Sequence, residues 1–224
     1  MTFSIAARCP RSLRFAVAVA SSSPAVAARC AHARAGVGAV LTQNVTDPRL
    51  GSRALDLLAL GAGAADAVRI LRTTTPHAAH RQLAVLDTQG EVAGFSGARA
   101  LGRHAIAEAP DAIAAGNLLA DEAVPAAMLA GFAACAEEDL AARVLAAMRA
   151  GLAAGGEVGP IRSAGLLLVD RVPWPVADLR IDWHDAPVAE LDRLWAVWRP
   201  QLDDYVTRAL DPDSAPGYGV PGGR

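Results

Sequence analysis

Alternation of apolar and polar positions opens the chain. In Thr2-Phe-Ser-Ile-Ala-Ala-Arg8 the pattern predicts a strand with Phe3, Ile5 and Ala7 on one face and Thr2, Ser4 and Arg8 on the other. A turn at Cys9-Pro-Arg-Ser12 leads to a second strand, Leu13–Ala20, with Phe15, Val17 and Val19 on one face and alanines on the other. Apolar residues on both faces mark a strand covered from both sides. Gly36–Thr42 reads as a third strand whose glycines allow another backbone to come close.

Helical spacing follows. Asp47-Pro48 opens a segment carrying Leu50, Leu57, Leu58 and Leu60, which Gly61 ends, and Ala64–Thr73 places Val68 and Leu71 on one stripe. Gln82–Asp87 and Glu91–Phe95 bracket Thr88-Gln-Gly90 as a hairpin. Ala112–Leu119 is a further strand, ending at Gly116-Asn117. A second helical pair carries Val124, Met128 and Phe132, then Leu140, Val144, Met148 and Leu152, and stops at Gly155-Gly156. Strands return at Ser163–Val169 and Val176–Trp183. One last helix then holds Leu191, Leu194, Trp195, Trp198 and Leu202. Hairpins outnumber single-helix crossovers, so the expected class is α+β, with antiparallel sheets and segregated helix layers.

Length and charge narrow this picture. The chain has 224 residues, enough for one domain over 1–224 with a substantial core, and residues 211–224 read as an irregular Pro/Gly-rich arm. Much of its 53% hydrophobic content is alanine. With a net charge of -2 and no basic block, nucleic acid is not an expected partner. No run approaches the ~18–20 apolar residues of a membrane helix, so no membrane partner is expected either. Arg8, Arg11 and Arg14 before Phe15–Ala20, with Ala25-Val-Ala27 beyond, form a signal-like start. The strand pattern in residues 2–8 favours a retained N-terminus and a cytoplasmic protein over a secreted one. Cys9, Cys30 and Cys135 have neither disulfide-framework nor CxxC spacing. His77 and His80 lack an evident third ligand, so neither a metal nor a cofactor is expected.

Several segments together carry a resemblance. They are Met1–Ala7, Ala16–Ser21, Arg34–Val40 leading to Thr42-Gln43, Arg81-Gln82, Gly116-Asn117, Arg162-Ser163, Asp178–Asp182 and Ala209–Gly222. In this order, and over nearly the whole chain, they resemble the bacterial family called domain of unknown function 1028. The resemblance implies a four-layer αββα sandwich of the N-terminal nucleophile (Ntn) hydrolase type. On such a scaffold the expected function is an amidohydrolase cleaving a C–N amide bond of a small molecule, with Thr2 as nucleophile once Met1 is removed.

The chemistry fits a one-residue catalyst. A free α-amine, with an unperturbed pKa of about 7.7–8.0, can take the proton of the Thr2 hydroxyl. Asn117, after Gly116, is the candidate oxyanion donor, or else part of a Gly-Asn turn. Gln43 and Asn44 either line the cleft or form a loop. Ser21 either meets the amine or caps a strand end. Arg81 or Arg162 either holds a substrate carboxylate or forms an ion pair. The alternative is a non-catalytic domain on the same scaffold that binds a small ligand or serves assembly. The Trp195–Trp198 helix and the tail suggest a homodimer.

Overall fold

The computed structural model describes residues 1–220. β1 (Thr2–Arg8) and β2 (Phe15–Ser21) form a hairpin, and the single turn α1 (Ala27–Cys30) leads into β3 (Ala31–Arg34) and β4 (Gly38–Asn44). α2 (Arg49–Ala59) and α3 (Ala64–Thr74) follow. Two hairpins come next, β5 (Arg81–Asp87) with β6 (Val92–Ser96), and β7 (His104–Ala109) with β8 (Ala112–Asn117). α4 (Val124–Ala134) and α5 (Leu140–Ala153) precede β9 (Ser163–Val169) and β10 (Pro175–Ile181). α6 (Pro187–Trp198), a 3-10 turn at Arg199–Gln201 and α7 (Leu202–Leu210) complete the regular structure. Residues 211–220 contain no helix or strand, and the rest of the expected arm, 221–224, lies outside the described residues.

The strands build two antiparallel sheets, one ordered β10-β9-β2-β1-β8-β7 and the other β3-β4-β5-β6. Side-chain alternation sorts the core into three slabs. Phe3, Ile5, Ala7, Ala16, Ala18 and Ala20 face α4, α5 and α6. Val40, Leu83 and Val85 face α2 and α3. Phe15, Val17, Leu41, Leu86 and Ile113 lie between the sheets. The order is therefore helices, sheet, sheet, helices. Alanine on β1 and β2 keeps the sheet surface thin where Val144, Leu145 and Met148 of α5 settle on it. α4 and α5 also approach closely, since a Cβ at Gly131 would sit 2.6 Å from that of Ala150.

Local chemistry pins these elements. Asp139 caps α5 by accepting a hydrogen bond from Ala142 N at 2.9 Å. Asp87, at the end of β5, accepts from Ala64 N at 3.0 Å, so a strand residue caps α3 where Gly63 has no side chain to do so.

Several expectations need correction. The third strand runs over 38–44, not 36–42, because Gly36 sits in a left-handed turn at φ +69°. β3, β7 and α1 were not expected; they are short and alanine-rich, so they carry little periodicity. The last helix is interrupted at Arg199-Pro200, where proline lacks the donor a continuous helix needs. Leu60 is 85% exposed because it lies past the last turn of α2. Leu152 is 44% exposed because an i+4 stripe drifts about 40° per step at 3.6 residues per turn. By its fourth member that stripe has left the core, and Gly151 takes the place against Met128 and Phe3. Among the described residues, no helix is long and apolar enough to cross a membrane.

Candidate functional site at the chain start

β1 lies between β2 and β8, so its first residues are flanked on both sides. Thr2 pairs with Asn117 and Phe3 with Ala20. Thr2 is 5% exposed, and its side chain shares the inter-sheet face with Ser4. The Thr2 hydroxyl donates to the Met1 carbonyl, and the Ser21 hydroxyl from the end of β2 donates to the same oxygen. Ser21 Oγ also accepts from Ser23 N at 3.0 Å, while its own carbonyl accepts from Arg162 N at 2.8 Å. The loop after β2 is thereby fixed over the chain start.

Beneath Thr2 runs a buried polar chain. Ser4 Oγ donates to Gln43 Oε1 at 2.6 Å, and Gln43 Nε2 donates to Gln82 Oε1 at 2.8 Å. Gln82 Nε2 donates to the Gly116 carbonyl at 2.9 Å and to Ser96 Oγ at 3.0 Å. Asn117 Nδ2 donates to Gln82 Oε1 at 3.2 Å. The Gly116 carbonyl can only accept, so it orients Gln82, and Gln82 then orients Gln43 and Asn117. That polarity leaves Asn117 Oδ1 buried with no donor. An unsatisfied buried acceptor costs about 1–3 kcal/mol, so it marks a place where a donor belongs. Immediately afterwards Leu118 takes φ +50°, an uncommon conformation for a branched residue.

A second unsatisfied group stands nearby. Glu157 is 4% exposed, and neither of its carboxylate oxygens has a hydrogen-bond partner. It forms an isolated bridge with Leu119, two residues beyond Asn117. Burial pushes its carboxyl above the usual carboxylate range; Ser22 and the amine at the chain start act in the opposite direction. Burial likewise raises the Cys30 thiol, on which the same amine acts. A cavity of about 280 Å³, lined by Gly155, Glu157, Ile161, Asp185 and Val188 among others, adjoins this segment.

Some expected residues converge here and some do not. Thr2, Ser21, Gln43 and Asn117 gather around the chain start and the polar chain below it. Gly116 contributes its carbonyl, and its missing side chain makes room for Leu119, whose Cδ2 would lie 2.5 Å from an added Cβ. Asn44 is a loop staple: its amide donates to the His80 carbonyl at 2.6 Å and accepts from Leu101 N at 3.2 Å. Arg81 donates to the Val45 carbonyl, and Arg162 pairs with Asp185. Gln82 and Glu157 were missed as site residues. The strand alternation that put Gln82 on the face of Ala84 and Leu86 was a usable signal for the first. Glu157 follows two glycines in a loop and gave none.

The family described as "Family of unknown function (DUF1028)" matches residues 2–191. Protein SPO2555 from Silicibacter pomeroyi, whose crystal structure is assigned to the same family, is 30% identical, with 88% of each chain covered and a TM-score of 0.81. Anbu, the ancestral β-subunit from Yersinia bercovieri, is 10% identical over 97% of this chain and 100% of its own, with a TM-score of 0.39. No curated protein matches the chain. The matched segment spans most of the chain, and the similarity to SPO2555 extends to the backbone; the chain belongs to the family of unknown function DUF1028.

Proposed function

We propose that this protein is an amidohydrolase of the N-terminal nucleophile type, cleaving a C–N amide bond of a small molecule with Thr2 as nucleophile. One observation carries the reading: two hydroxyls, of Thr2 and Ser21, converge on a carbonyl oxygen bonded next to Thr2. Removal of Met1 vacates that place and leaves a free α-amine on Thr2. The amine takes the hydroxyl proton as Thr2 Oγ1 attacks the amide carbon, and a tetrahedral oxyanion forms. The Ser21 hydroxyl donates to that oxyanion, as does the second N–H of Asn117 Nδ2. The free Asn117 Oδ1 accepts an N–H from the amine and orients its lone pair. The amine then gives its proton to the leaving nitrogen, the C–N bond breaks, and water hydrolyses the Thr2 ester. The helix–sheet–sheet–helix layering supports the Ntn type.

The test is direct. Intact mass of the protein from its native host should show Met1 gone. On a panel of small amides, Thr2→Ser should retain activity, and Thr2→Ala should lose about 10³-fold or more in kcat. A Thr2→Ala variant as active as wild type, or binding without turnover by either protein, overturns the reading.

A further inference from the structure

Glu157 stands unexplained by the mechanism above. A carboxylate that is 4% exposed, with the Ser22 hydroxyl and backbone N–H close to it but no cationic side chain, is costly to bury without a counter-charge. The surrounding chain shows what it faces. Glu157 bridges Leu119, Ala120 N donates to the Gly156 carbonyl at 3.0 Å, and β8 before them pairs Asn117 with Thr2. A Cβ added to Gly156 would lie 3.3 Å from the Phe3 ring. Met1, whose amine acts on Glu157, and Phe3, which packs on Gly156, therefore flank Thr2 on either side.

We propose that Glu157 is the positioning residue for the amino terminus: its buried carboxylate is the counter-ion that seats the α-amine of Thr2 and sets the pH at which that amine becomes free. The consequence for catalysis rests on the Thr2 reading; the seating of the amine does not. Around the chain start stand Cys30, whose thiol burial keeps protonated, and His104, which pairs with Asn117 and whose Nδ1 lies 3.0 Å from the Gly102 carbonyl. On the neighbouring loops, Arg162 is neutralised by Asp185, and Arg103 is held on the Ala120 carbonyl at 2.9 Å. Among the described residues, Glu157 is thus a carboxylate that is 4% exposed and pairs with no cationic side chain.

The experiment uses full-length chain released from a fusion so that Thr2 is its first residue. The rate at which an amine-reactive reagent labels the terminal amine is measured against pH for wild type, Glu157→Gln and Glu157→Asp. A carboxylate beside an ammonium favours the protonated form, so the labelling midpoint of Glu157→Gln should shift to lower pH. Labelling near neutrality should then rise by about tenfold, as for a change of one pKa unit. Glu157→Asp keeps the charge but draws it back, so its midpoint should shift in the same direction by less than that of Glu157→Gln. Circular dichroism and a cooperative thermal transition verify that each variant is folded. If Glu157→Gln does not fold, Glu157→Asp decides alone, since a carboxylate drawn back by one methylene should still shift the midpoint measurably downward. Unchanged midpoints in the folded variants overturn the proposal. If the midpoint moves while Thr2→Ala hydrolyses amides normally, the counter-ion stands and the hydrolase reading falls. Where amide hydrolysis is measured, the acid limb of its pH profile should move with the labelling midpoint.

Discussion

The space between the two sheets has two ends built on the same strands and the same faces. At one end lie Phe15, Val17, Leu41, Leu86, Ile113 and Val169, all buried and apolar. At the other lie Thr2, Ser4, Gln43, Gln82 and Asn117, all buried and polar. Along β4 the inward face passes from Gln43 through Leu41 to Ala39, and along β5 from Gln82 through Ala84 to Leu86. Burial is equal; what differs is how each end is held. The apolar end is stabilised by exclusion of water, in proportion to area. The polar end holds together only if each amide finds a partner, and it tolerates one exception, Asn117 Oδ1, beside the chain start. The candidate site coincides with a buried polar interior in which one acceptor, Asn117 Oδ1, lacks a donor.

Gln82 is where this contrast breaks most sharply. Gln82→Met keeps the volume but strands Gln43 Nε2 and Asn117 Nδ2, at about 1–3 kcal/mol for each buried donor, or roughly 2–6 kcal/mol in all. Chemical denaturation should show a loss at least equal to that of Leu86→Ala, which leaves a cavity in the apolar end and costs about 2–5 kcal/mol. A Gln82→Met variant close to wild type in stability would mean that the polar chain is not wired as described.

A smaller effect concerns Glu157 and pH. Burial holds its folded-state value above its unfolded one, so the folded chain binds that proton more tightly. The stability this contributes is fully present below about pH 4.3, the unfolded value, and is lost as pH rises through the folded value. In chain that retains Met1, Glu157→Gln should therefore be more stable than wild type at neutral pH. That advantage should shrink on acidification. Denaturation curves at several pH values check this; parallel pH dependence in the two proteins would show that Glu157 is not buried as charge.

Much of the fold was legible because period and composition are local. Phe3, Ile5 and Ala7 opposite Thr2 and Ser4, the Gly90 hairpin, and the α4–α5 pair all follow from spacing alone. β7 was not legible, because His104–Ala109 contains too few large side chains to show an alternation. The break at Arg199-Pro200 was legible in principle, and the apolar stripe of Trp195, Trp198 and Leu202 hid it.

For the candidate site, the chain order put Thr2 at the head of β1 with its hydroxyl on the face of Ser4, and Asn117 at the end of a strand. Only the tertiary structure decided that β8 would lie beside β1, that Gln82 would orient Asn117 through the Gly116 carbonyl, and that Glu157 would be sealed near the amino terminus. The reason is physical: periodicity reports which side of an element a residue faces. Hydrogen-bond polarity and buried charge depend on which elements become neighbours, and residues 2, 43, 82, 117 and 157 meet only after the sheets have stacked.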